Sequence, residues 1–151
     1  MKHGVNSMLL TVLLFGAGGC PSMDGSGTER EFEANLDGDQ ETPPVTTAAT
    51  GMGTFTLNAE QTELSFRISA SGLSGPIVGA HFHLGPTGES GPVVNDITAQ
   101  VVEDDAGVTL EGTWEISAAD LDDLLDENLY VNLHTEQNQG GEIRGQVEIP
   151  E

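Results

Sequence analysis

GTFTLNAEQTELSFRIS, residues 53–69, decides the fold class. Phe55 and Leu57 alternate with Thr54 and Thr56; beyond the polar turn AEQT, Leu64, Phe66 and Ile68 alternate with Ser65, Arg67 and Ser69. Strand side chains point to opposite faces with period two, so both runs read as strands with one apolar face, paired as a hairpin.

The same rhythm runs outward in both directions. EFEANL (31–36) alternates and is broken by DGDQETPP, and IVGAHFHL (77–84) lies between two Gly/Pro loops. VVNDITAQVV (93–102) and VTLEGTWEIS (108–117) read as strands parted by the hairpin turn EDDAG. LYVNLHT (129–135) puts Leu129, Val131 and Leu133 on one face and Tyr130, Asn132 and His134 on the other, and EIRGQVEI (142–149) closes the chain. One segment departs from this rhythm. In SAADLDDLLDEN (117–128) Ser117 is an N-cap, Asp120 stands three residues on, and Leu121, Leu124 and Leu125 fall at helical spacing. About seven or eight short strands with regular turns predict an all-β, antiparallel, Greek-key-like sandwich or flattened barrel with one short helix. Gly51, Gly53, Gly79 and Gly145 are expected at bulges or bends.

The first residues have a different character. Lys2 and His3 precede the short apolar run MLLTVLLF, then small residues lead to Cys20, the only cysteine. The run is far below the ~20 residues of a spanning helix and reads as a secretory signal over 1–19. The arrangement resembles a bacterial lipoprotein box, which implies lipidation at Cys20, a flexible tether over 20–30, and a domain over 31–151. The protein is then expected in the cell envelope, at the periplasm or cell surface, meeting the membrane through a lipid anchor. All 25 acidic residues lie beyond Cys20, against Arg30, Arg67 and Arg144 and no lysine, and the whole chain carries a formal charge of −21. Such a field repels nucleic acid and draws cations.

LDGDQETPPVTTAATGMGTFTLN, GAHFHLGPTGESGPVV and LYVNLHTEQNQGGEIRGQV together resemble the CHRD domain, the module named after chordin, over about residues 31–149. The resemblance implies an extracytoplasmic all-β module and no established enzymatic activity. The His-x-His strand is also similar to copper/zinc superoxide dismutase. That enzyme's histidine-bearing zinc loop has no counterpart in GPTGESGPVVND, so at most one metal ion is expected.

His81 and His83 share a strand face, and His134 ends a later strand. Three neutral imidazoles suit one copper or zinc ion, with a water or carboxylate completing the shell. Otherwise the three form a polar cluster bonded to backbone and carboxylates. Arg144 is expected to tie the N-terminal loop to the last strand through a bidentate salt bridge with Glu41 or Glu142. DGDQE (37–41) starts like a calcium loop but lacks its remaining ligands. Ser90 sits on no strained elbow, Asp104–Asp105 lies in a turn and Asp122–Asp123 on an exposed helix face, so no catalytic constellation emerges. These readings converge on a binding module with a histidine metal site. The alternatives are an interaction module for a protein or cell-surface partner, with structural histidines, and a dismutase-like redox enzyme.

Overall fold

The computed structural model describes residues 27–151. The expected signal, Cys20 and most of the tether lie outside the described residues. Nine strands are present among the described residues: β1 (Arg30–Asp37), β2 (Thr50–Leu57), β3 (Glu63–Ser71), β4 (Ile77–Leu84), β5 (Val93–Asp96), β6 (Val101–Asp104), β7 (Gly107–Glu115), β8 (Leu129–Thr135) and β9 (Ile143–Gln146). The helix α1 spans Ala118–Leu125. All pairings are antiparallel, in the order β5-β4-β8-β9-β1-β2-β3-β7-β6.

That order forces curvature. The two outermost strands, β5 and β6, are consecutive in the chain, and the step from Asp96 to Val101 can span at most about 18 Å. Nine flat strands at ~4.8 Å spacing would set those edges almost 40 Å apart. The sheet therefore curls until its edges approach, giving the all-β, sandwich-like enclosure that the alternation predicts.

VVNDITAQVV is not one strand. Thr98 N donates to the Asp96 carboxylate at 2.9 Å, and a single 3₁₀ turn (Thr98–Gln100) follows. The side-chain acceptor offers the backbone an alternative to the ladder, so the run splits into β5 and β6. This split brings the strand count to nine. The helix has just over two turns and carries the three spaced leucines, and its start is as read: Ser117 Oγ accepts from Asp120 N at 3.2 Å. Of the four glycines expected at bulges, only Gly79 coincides with a break in register; Gly51, Gly53 and Gly145 stand in unbroken ladders.

The inward residues of the 53–69 hairpin, with Phe32, Leu36, Leu110, Leu124, Val131, Leu133 and Ile143, form one core. Phe82 lies at its centre, edge-on to Phe55 and Phe66 at 5.7 Å each and beside Trp114 at 5.2 Å. Burying such a ring contributes about 3 kcal/mol. Because Phe82 is pinned inward, its neighbours His81 and His83 must point outward.

Candidate metal centre

Strand β4 runs beside β8 with Gly79 opposite His134, His81 opposite Asn132 and His83 opposite Tyr130. On β8 the leucines and valine face the core, so Tyr130, Asn132 and His134 share the outward face with His81 and His83. This face should meet solvent, yet Tyr130 is 3% and Asn132 3% exposed. Gly79 is what admits the rings: a Cβ there would come within 2.9 Å of the His81 imidazole and 3.5 Å of His134.

The structure brings the three expected histidines together. Their nearest ring nitrogens all lie within 4.8 Å of one another, and His81 Nδ1 is 3.1 Å from His134 Nε2. Donors on one tetrahedral ion stand about 3.3 Å apart when the bonds are 2.0–2.1 Å long. The closest pair already meets this spacing, and the widest exceeds it by about 1.5 Å at most.

The other ring nitrogens face acceptors. His83 Nδ1 donates to Gly91 O at 2.9 Å, since a carbonyl can only accept. His134 has such an oxygen at both nitrogens, Gln139 O at Nδ1 (2.9 Å) and Asn132 Oδ1 at Nε2 (3.0 Å), and with its one proton on Nδ1 it matches His83. His81 Nε2 faces the Asp96 carboxylate at 3.9 Å. Outer acceptors of this kind orient metal-ligating histidines. A neutral ring that gives its proton outward keeps a bare lone pair inward, so His83 Nε2 and His134 Nε2 are inward acceptors. His83 Nε2 is buried and has no hydrogen-bond partner. Burial holds the His83 and His134 rings below the usual histidine range; the neighbouring imidazoles act in the same direction, and the backbone acceptors oppose. Both rings are thus neutral at pH 7, the form that ligates.

Loops roof this face and explain its burial. Arg144, 2% exposed, lies 3.5 Å above the Tyr130 ring, whose other side stacks on His83 at 4.8 Å. The expected salt bridge is not formed: neither Glu41 nor Glu142 reaches ion-pair distance. Arg144 donates instead to Glu89 O (2.8 Å), Pro86 O (3.1 Å) and Gln146 Oε1 (3.3 Å). The carbonyls of a tight loop present several convergent acceptors to one guanidinium fork, which a single carboxylate does not. The clamped loop carries Gly91, whose N–H donates to the Tyr130 hydroxyl and whose carbonyl holds His83.

Glu142 has other partners. Thr47 Oγ1 (2.7 Å), Ser74 Oγ (2.6 Å) and N (3.0 Å), and Thr135 Oγ1 (2.6 Å) all donate to it. Burial pushes this carboxyl up, but the donations together outweigh it and hold it below the usual range. Glu41 is raised, because burial exceeds the stabilisation from the Asn132 amide and the Arg144 charge. It packs against Gly141, where φ is +121° and a Cβ would overlap the Glu41 carboxylate. In the calcium-like DGDQE run, Asp37 is already engaged by Gln40 through N and Nε2, each at 3.0 Å.

Residues 32–147 match the CHRD domain family. The chain belongs to that family. No curated protein and no solved structure matches it. Within this CHRD domain, sequence reasoning passed over Asn132, although it lies between Tyr130 and His134 on the same period-two face and opposite His81. The backbone acceptors Gly91 and Gln139 and the Asp96 carboxylate carry no sequence signal of their own. No helix among the described residues is long and apolar enough to cross a membrane.

Proposed function

We propose that this CHRD domain is an extracytoplasmic binding module that holds one divalent copper or zinc ion on His81, His83 and His134. The observation that carries the reading is the inward lone pair of His83 Nε2, buried and unpartnered beside two further imidazole nitrogens. A buried acceptor without a donor costs about 1–3 kcal/mol, and an ion bound at that point removes the cost. Three imidazoles favour Cu(II) over Zn(II) by the usual affinity order, and the acidic surface concentrates either cation near the site. With the lipid attachment at Cys20, the module displays its ion at the surface of the cell envelope.

Titration calorimetry of the full chain with Cu(II) and with Zn(II) tests the reading. One ion is expected to bind with submillimolar affinity, and the His81→Ala/His83→Ala/His134→Ala variant is expected to lose it. Equal binding by the variant, or no binding by the parent, overturns the site. In that event the histidines are structural and the loop-covered face serves a protein partner.

A further inference from the structure

We infer that Asn132 Oδ1 is a fourth protein donor to the same ion, so that the site is closed and holds its metal without a bound water. The inference rests on the proposed histidine site and adds its coordination number and chemical class. Asn132 sits opposite His81 on the neighbouring strand and is 3% exposed. Its Oδ1 lies 3.0 Å from His134 Nε2, the nitrogen that is also 3.1 Å from His81 Nδ1. The amide oxygen therefore stands where two of the three imidazoles already meet.

The contact with His134 is a mismatch in the absence of a cation. His134 Nδ1 faces Gln139 O at 2.9 Å and Nε2 faces Asn132 Oδ1 at 3.0 Å. Both oxygens only accept and a neutral ring has one proton for the two, so one nitrogen is left as a lone pair against an oxygen. With the proton on Nδ1, it is Nε2 against the amide. The amide does not relieve the clash by turning over, because its Nδ2 donates to Glu41 Oε1 at 3.5 Å, and Glu41 is 7% exposed. Turned over, the amide would set its oxygen against that carboxylate. Two acceptors held face to face at 3.0 Å match two ligand atoms on one ion, close to the ~3.3 Å that four-coordinate geometry sets between donors. Structural metal sites use four protein donors, whereas catalytic ones leave a position for water. The site therefore falls in the class that stores or presents an ion, and Glu41 is a positioning residue that orients the fourth donor.

Zn(II) affinity and the relaxation of water protons by the Cu(II)-loaded full chain test this, with circular dichroism confirming the fold of each variant. Asn132→Ala is expected to weaken Zn(II) binding about tenfold, the lower end of the range for groups around a metal. It is also expected to speed water relaxation by opening a place for water on Cu(II). If Asn132→Ala does not fold, Asn132→Asp combined with Glu41→Gln decides: the glutamine amide can donate to the new carboxylate, which as a charged donor should bind Zn(II) more tightly than the parent. Parent-like affinity and relaxation in Asn132→Ala, or weaker binding in the double variant, overturns the fourth donor while the histidine site stands. Failure of the parent to bind either ion removes both.

Discussion

The two halves of the curled sheet treat their outer faces in opposite ways. In β3, burial alternates without a break, with Leu64, Phe66, Ile68 and Ala70 inside and Glu63, Ser65, Arg67, Ser69 and Ser71 exposed. In β8 and β9, ten of eleven residues are buried, including Asn132, Thr135, Arg144 and Gln146. Both halves follow the same period-two rule. The difference lies in the loops, which leave the β3 side in water and cover the β8–β9 side. Polar side chains that would be solvated on one half form a second, polar core on the other, where each must find a partner inside the protein. An incompletely satisfied site belongs to such a region. In water the His83 Nε2 lone pair would be trivial; under the roof it matters.

The largest effect should follow from removing the residue that fastens the roof. Arg144→Met keeps much of the stem but leaves the Pro86, Glu89 and Gln146 oxygens without their donor and uncovers Tyr130. We expect a loss of about 3–5 kcal/mol, the range for breaking a buried charged group's partnerships. It should appear as a lower denaturant midpoint at unchanged slope. Arg144→Lys should recover only part of this, since a point charge cannot replace the fork. A loss below about 1 kcal/mol, in the range of an exposed pair, would mean that the loop is held without Arg144.

A smaller effect should appear with pH. His83 and His134 titrate below the ordinary histidine value of 6.5 in the folded protein, so the unfolded chain binds protons first on acidification. Stability from these rings is complete above pH 6.5 and declines as pH falls below it. Glu41 opposes this: raised above 4.5 in the fold, its contribution is complete below that value and is lost as pH rises through its folded pKa. Denaturant midpoints of the metal-free protein should therefore fall from pH 7 toward 5.5. The fall should steepen in Glu41→Gln, which deletes the opposing arm, and flatten in His83→Gln/His134→Gln. A flat profile in the parent and in Glu41→Gln would show that the two rings are not desolvated by the roof.

The contrast between the halves also explains how much could be read from the chain. Strand β8 was legible to the residue, including which side chains share each face, because LYVNLHT states its alternation and Asn128 and Glu136 bound it. The three histidines were legible as a candidate set, because pairing β4 with β8 needs only two motifs to be neighbours. The partner of Arg144 was not: a guanidinium satisfied by backbone carbonyls has acceptors that every residue possesses, so charge complementarity pointed to Glu41 and Glu142. The break within VVNDITAQVV was hidden in the same way, since an aspartate and a threonine two apart look like any polar face of a strand. Only the bond from Thr98 N to the Asp96 carboxylate, which the sequence pattern does not announce, marks the turn.

The smallest effect should come from the arginine that does meet an acid, and it completes the test of the contrast. Arg67 and Glu111 are cross-strand partners on β3 and β7 and form an ion pair, with side chains 65% and 54% exposed. By charge alone this pair looks stronger than anything Arg144 makes, since Arg144 touches no carboxylate. Solvent decides otherwise. An exposed pair exchanges its Coulomb energy for good hydration and is screened by salt, so Arg67→Ala should cost less than about 0.5 kcal/mol. The midpoint shift should shrink further when ionic strength is raised, whereas that of Arg144→Met should hardly respond. If the two arginines proved equally costly to remove, the distinction between a solvated and a roofed face would lose its energetic basis, and the buried lone pair at His83 would no longer argue for a cation.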